Sequence, residues 1–209
     1  MTSADPPTPT DRLEALLESA RADGRRRVLG IAGAPGAGKS TLAAGVASGR
    51  AEVAVVGMDG WHLANSTLER LGRRARKGAP DTFDAAGYVA FLRRLTDRST
   101  TIWAPEYRRG GLEEAVGGAV EVPPEVLVVV TEGNYLLLDD PPWDGVRPLL
   151  DEAWFVAPDE VSRREWLIAR HVRHGRDHDD AVARADGSDA VNARLVAATR
   201  TRADVVLDG

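Results

Sequence analysis

No cysteine occurs among the 209 residues, which removes disulfide stapling, thiolate metal sites and a Cys nucleophile together and suits a reducing compartment. Aromatic residues make up only 5% of the chain. Long apolar runs are missing as well. The longest, such as residues 126–130, fall far short of the ~18 residues a spanning helix needs, so no integral membrane protein is expected. An excess of positive charge is also lacking: 27 Lys plus Arg stand against 32 Asp plus Glu, a formal net charge of -5. Neither nucleic acid nor a membrane is therefore an expected partner. Residues 1–10 hold Pro6, Pro7 and Pro9 but neither a cationic start nor the apolar segment of a signal peptide. They read as a disordered tail, and the expected location is the cytoplasm. What remains, 43% apolar and 28% charged, is expected to form one domain over residues 11–209.

Asp11 with Glu14 predicts a helix start, and Leu13, Leu16, Leu17 and Ala20 fall on one apolar face that ends near Gly24. Short, β-branched apolar runs follow at residues 28–32, 53–56, 126–130, 154–156 and 205–207, as expected of strands buried on both faces. Helical stretches separate most of them, at residues 41–48, 85–95, 159–174 and 189–199. This alternation predicts an α/β fold with a parallel sheet covered on both sides. Residues 72–84, carrying Arg73, Arg74, Arg76, Lys77, Gly78 and Pro80, are too polar and broken for core and predict an exposed loop. Residues 101–122 show no clear period.

Gly33, Ala34, Pro35, Gly36, Ala37, Gly38, Lys39 and Ser40 match the Gly-x4-Gly-Lys-Ser/Thr phosphate loop, with Thr41 behind them, between an expected strand and an expected helix. Glycines let backbone N–H groups turn inward around a phosphate chain, and the helix N-terminus adds a partial charge of ~0.5. Lys39 would reach the β- and γ-phosphates and Ser40 would hold Mg2+. The strand over residues 53–56 leads to Asp59 at the sheet edge where such folds bind ligands, which makes Asp59 the candidate general base. His62 either hydrogen-bonds the acceptor or packs. The second carboxylate near the metal is expected at Glu132, after residues 126–130. Asp139 or Asp140, after residues 136–138, compete, but the Val-rich run is the better strand. Residues 159–178 carry Arg163, Arg164, Arg170, Arg173 and Arg176. Arg170 and Arg176 are the candidates for closing over a triphosphate, the others for pairing with Asp159, Glu160 and Glu165 at the surface.

Together these motifs resemble the small-molecule kinases that group uridine kinase, bacterial-type pantothenate kinase and phosphoribulokinase. The resemblance spans nearly everything after Arg27. It rests on residues 33–40, on Asp59-Gly60-Trp61-His62, on Lys77-Gly78-Ala79-Pro80-Asp81-Thr82-Phe83-Asp84, on Ala104-Pro105-Glu106-Tyr107, on Glu132-Gly133-Asn134-Tyr135, and on Arg170 with Gly175-Arg176-Asp177. More narrowly, the Asp59, Lys77 and Glu132 stretches are similar to a bacterial subgroup described as nucleoside/nucleotide kinase-like or fructose-transport-associated. The resemblance implies a P-loop NTPase fold with a five-stranded parallel core, helices on both faces and a helical lid over about residues 159–178. It also implies ATP with Mg2+, Asp59 as base and the lid arginines. It places Asp59, His62, Asp81, Phe83, Asp84, Glu106, Tyr107 and Asn134 around the acceptor, expected to be a nucleoside or sugar. A phosphorylated or carboxylated acceptor would require Arg73, Arg74, Arg108 or Arg109 to turn inward. The alternatives are a pantothenate or sugar-acid kinase of the same fold, or a P-loop protein without small-molecule kinase activity. A guanine-reading Asn-Lys-x-Asp is absent. Monomer and homodimer both remain open.

Overall fold

The computed structural model describes residues 6–208, so the first five positions of the expected tail lie outside the described residues. In chain order the elements are α1 (Pro9–Asp23), β1 (Arg27–Gly33), α2 (Lys39–Ala47), β2 (Val53–Gly57), α3 (Asn65–Arg70), α4 (Ala85–Arg94), β3 (Ile102–Arg108), β4 (Glu114–Val122), β5 (Val128–Gly133), β6 (Glu152–Val156), α5 (Glu160–Arg173), α6 (His178–Arg184), α7 (Ala190–Ala197) and β7 (Val205–Leu207). Single helical turns fill several connections, notably Met58–Trp61 after β2. Among the described residues no helix is long and apolar enough to cross a membrane.

The five expected strands pair in the order β2-β5-β1-β6-β7, every neighbour parallel. Their continuous apolar character follows from this position: all seven residues of β1 are buried, because helices cover both faces. On one face Leu29, Ile31, Val128, Val130 and Trp154 meet Leu13 and Leu17 of α1 and Ala43 and Val46 of α2. On the other Val28, Val129 and Phe155 meet Tyr88 and Leu92 of α4 and Val196 of α7. Tyr88 is fully buried, with its hydroxyl 2.6 Å from Thr131 Oγ1. Thr131 donates its single proton to Val56 O at 2.7 Å, so Tyr88 must be the donor to Thr131. This chain of bonds locks the end of β5 against β2 one residue before Glu132.

Three local expectations change. The α1 N-cap is Thr8 and not Asp11: the Thr8 hydroxyl accepts from Asp11 N while the Asp11 carboxylate accepts from Thr8 N, a capping box with Asp in the reciprocal place. Thr8, Pro9 and Thr10 of the expected disordered tail are thus ordered as the start of α1. Residues 72–84 are a strap and not a fully exposed loop, since Lys77, Thr82 and Phe83 are buried. Residues 101–122 form the antiparallel hairpin β3–β4. Its alternation is real at Ile102, Trp103 and Ala104, buried, exposed and buried. The register then shifts between Ala104 and Glu106, around Pro105, which has no N–H for the ladder.

That bulge presses the hairpin onto the turn after β2. A Cβ on Gly60 would lie 2.4 Å from Pro105 O, so only glycine lets the two backbones meet. Gly60→Ala is therefore expected to destabilise the chain by about 1–3 kcal/mol through forced displacement of the hairpin, measured as a lower urea midpoint at unchanged m-value.

Candidate active site

The strand order brings three loops to one edge. β5 lies between β2 and β1, and Glu132 pairs across to Ile31 on one side and Gly57 on the other. Consequently Glu132 stands between the Asp59 turn and the glycine-rich loop that follows β1. This is the carboxyl edge of a parallel sheet, where ligands of such folds bind.

Gly38 caps α2 without a side-chain hydrogen bond, leaving the first amides of that helix for an anion. Lys39 is buried, and its Nζ donates to Ala34 O at 3.0 Å and Asn134 Oδ1 at 2.9 Å. Burial pushes the ammonium down to about 8, with Glu132 opposing and Arg170 adding to the shift. Ser40 Oγ donates to Glu132 Oε1 at 2.8 Å. Burial raises the Glu132 carboxyl above its usual range; Lys39 pulls it back and Asp59 pushes it further up. Hydroxyl and carboxylate here are hard oxygen donors suited to Mg2+. Among the described residues no cluster of three or more His, Cys, Asp or Glu is suited to a metal. The remaining ligands would therefore be phosphate and water oxygens, the usual way this ion is held. Asp139 instead pairs with Arg202 at 3.1 Å, and Asp140 accepts Trp143 N through its backbone at 2.9 Å.

Asp59 lines a cleft of about 260 Å³ together with His62, Phe83, Tyr107, Asn134, Arg170 and Arg176. Burial alone would raise its carboxyl, but Arg109, which forms an ion pair with it, outweighs that effect with His62 and Arg170 and holds it at about 2. His62 is packed and also placed: its ring lies 4.0 Å from Phe83 and 4.6 Å from Tyr107 by centroid, with Nδ1 2.9 Å from Asp59 O. Tyr107 donates to Glu113 at its backbone oxygen and carboxylate. Arg170 lines the cleft from α5, and Arg176 from the turn after it.

Asp81, Asp84 and Glu106 do not reach this cleft. Asp81 is held by Arg73 and Arg76, Asp84 caps α4 through Gly87 N at 2.9 Å, and Glu106 is 3.5 Å from Arg108 on the hairpin surface. Other groups line the cleft in their place, and of these the sequence offered only Arg109, for a charged acceptor. Arg109, Lys77, Arg184, Asp189 and Asn192 all line the cleft, the last two because the chain breaks helical geometry at Gly187 between α6 and α7. No periodic signal carries them. Arg163 is structural, donating to Pro35 O and to Glu160. A second, more apolar cleft flanks the phosphate loop, lined by Pro9, Gly38, Thr41, Leu42, Trp166 and Val206. Trp166 is 49% exposed there, an apolar plane suited to stack a planar base. An exposed aromatic among the arginines of α5 was its only sequence signal.

No protein-family model matches the chain. It is 32% identical over 202 residues to a candidate uridine kinase of Schizosaccharomyces pombe, covering 88% of this chain and 83% of that one. It is 31% identical over 158 residues to a pantothenate kinase of a Bradyrhizobium species, 69% of this chain and 49% of the relative. Among solved structures, a candidate fructose transport system kinase from a Silicibacter species matches with a TM-score of 0.80 at 36% identity, over 93% of this chain and 98% of that one.

The depressed Lys39 ammonium yields a pH signature. A bound polyphosphate favours the charged form and so raises the pKa of Lys39 above about 8. Affinity for ATP is then full below that value and falls as pH rises through it, with proton uptake on binding near pH 8. Calorimetry in buffers of different ionisation enthalpy measures that uptake. Lys39→Arg, whose guanidinium does not titrate there, is expected to abolish it.

Proposed function

The chain belongs to the P-loop small-molecule kinases of the uridine kinase, pantothenate kinase and phosphoribulokinase group and is an ATP-dependent kinase, and on that premise we propose that it transfers the γ-phosphate of ATP to a hydroxyl of a small polyhydroxylated metabolite at Asp59. The observation that carries this reading is the β2-β5-β1 order, which gathers a carboxylate, a hydroxyl–carboxylate pair and a buried ammonium at one sheet edge.

Under this reading the loop amides and Lys39 hold the phosphate chain, and Trp166 stacks on the adenine. Ser40 and Glu132 would hold Mg2+, which would supply charge neutralisation along the phosphate chain when bound. Asp59 orients the acceptor hydroxyl and accepts its proton. That oxygen bonds to the γ-phosphorus as the bond to the bridging oxygen breaks, the electron pair leaves on ADP, and Asp59 later releases the proton to water. Arg170 and Arg176 neutralise charge spread over the transferring group and, with α5 and α6 as a lid, exclude water. Asn134, Asp189 and Asn192 line the acceptor side and accept hydrogen bonds from further hydroxyls, which supports a polyhydroxylated acceptor.

Asp59→Asn is expected to keep ATP affinity and lose about 10²–10⁴ in kcat, because the amide keeps the shape but cannot take the proton. Titration of ATP with Mg2+ against the melting temperature, which mass action must raise, measures the affinity, and acceptor-stimulated ADP release measures the rate. Loss of the thermal shift in Asp59→Asn at unchanged turnover per bound ATP would make Asp59 a metal or structural residue.

A further inference from the structure

Arg109 pairs with Oδ2 of Asp59 and leaves Oδ1 without a hydrogen bond among the described residues, but a carboxylate held in an ion pair is a weaker base. Arg109 stands at the tip of the β3–β4 hairpin. Gly110 and Gly111 follow it with φ of 74° and 102°, a backbone region where glycine is unstrained, so the tip can turn without moving the strands. What would draw Arg109 away lies beside it. Its guanidinium carbon is 5.3 Å from the Tyr107 ring centre, and Lys77 Nζ is 5.0 Å from the same centre.

Six Lys and Arg side chains line the cleft against three carboxylates. The phosphate chain of ATP accounts for Arg170 and Arg176. It does not account for the group around Lys77. Lys77 is buried, and its Nζ bonds only neutral oxygens, Asn65 Oδ1 at 2.7 Å and Glu113 O at 2.6 Å. Arg184 donates to Lys77 O at 2.7 Å. Arg74 has no ion-pair partner among the described residues. Burial and the charge of Arg74 both hold the Lys77 ammonium below its ordinary value. Glu113 and Glu114 offset part of this charge, and the remaining excess of cations favours a further anion joining them.

We propose that the acceptor is an anionic polyol, a sugar acid or a sugar phosphate, whose carboxylate or phosphate docks among Arg74, Lys77 and Arg109 and draws Arg109 off Asp59 as the acceptor hydroxyl arrives there. The proposal rests on Asp59 being the base. It makes Arg109 a specificity residue: a neutral polyol leaves Asp59 ion-paired and weakly basic, whereas an anionic one draws the guanidinium away and strengthens the base. Arg74 and Arg109 are two of the inward-turned arginines that a charged acceptor requires, while Arg73 and Arg108 remain engaged at the surface.

The test pairs acceptors that differ chiefly in the anionic group: D-glycerate with glycerol, ribose 5-phosphate with ribose, pantothenate with its alcohol. In ADP release by the full chain with saturating ATP and Mg2+, the anionic member of the pair that is used should have a kcat/KM at least about tenfold higher, the size of one charge-assisted hydrogen bond. Arg109→Ala should bring that ratio close to unity and Arg109→Lys should restore part of it. Arg74→Ala should raise KM for the anionic acceptor and leave KM for ATP unchanged. Melting temperatures of the protein loaded with a non-hydrolysable ATP analogue separate the two possible failures. Neutral members used as well as their anionic partners, a ratio unmoved by Arg109→Ala, or no thermal shift from any anionic member would overturn the proposal with the kinase reading intact. Anionic members that bind while none of the acceptors stimulates ADP release would overturn the role of Asp59 as base and, with it, the release of that base by Arg109.

Discussion

Everything at the sheet edge depends on keeping one ammonium group charged where water is scarce. Lys39 is buried, and a buried cation is strongly unfavourable unless oxygen atoms surround it. One of those oxygens is local, Ala34 in its own loop, and one comes from a distant part of the chain, Asn134 after β5, with the Glu132 charge nearby. Neither Asn134 nor Glu132 can be there unless β5 inserts between β1 and β2, and that insertion requires both faces of the sheet to be covered. The α1–α2 and α4–α7 layers are thus preconditions of the electrostatics. Even with this support the Lys39 pKa stays depressed, so the apo site is still short of negative charge.

The two ends of α5 are held very differently. Near its start Arg163 reaches Pro35 O in the phosphate loop, and Leu167 is fully buried. Beyond that point α5 and α6 share only a small cluster of Leu167, Ile168, Ala181 and Ala185, apart from the two large cores. Few buried apolar contacts mean low local stability. Arg170 and Arg176 sit on this weakly held side, while the segment against the phosphate loop is fixed. Otherwise α5 is tied to the following segment by polar contacts, Arg164 with Asp186 and His171 with Asp189, in place of a large apolar core.

The sheet was legible because parallel strands covered on both sides leave continuous β-branched runs, and the phosphate loop, Asp59 and Glu132 were legible because they terminate those runs. What failed to show had no run to terminate. The hairpin lost its period at Pro105, and Lys77 reads as a surface residue until Asn65 and Glu113 are folded around it. Thr8 was hidden because Asp11, itself a good cap, stands three residues later. Asp81, Asp84 and Glu106 rested on resemblance alone, and each is engaged by a neighbour within five residues, Arg76, Gly87 or Arg108. Local partners claimed them, and sequence position could not tell that from a place in the cleft.

The contact of Gly60 with Pro105 has a consequence for how such enzymes diversify. It welds the base of the hairpin to the turn that carries Asp59, so the reaction chemistry and the hairpin stem form one inherited unit. The tip, with Arg109 and its two glycines, lies beyond that weld. On the proposed role of Arg109, substitutions there would redefine which metabolite is phosphorylated while the Gly60–Pro105 contact is kept. A lineage can therefore acquire new acceptors by changes over a handful of tip residues, and close relatives with an unaltered catalytic edge need not share a substrate.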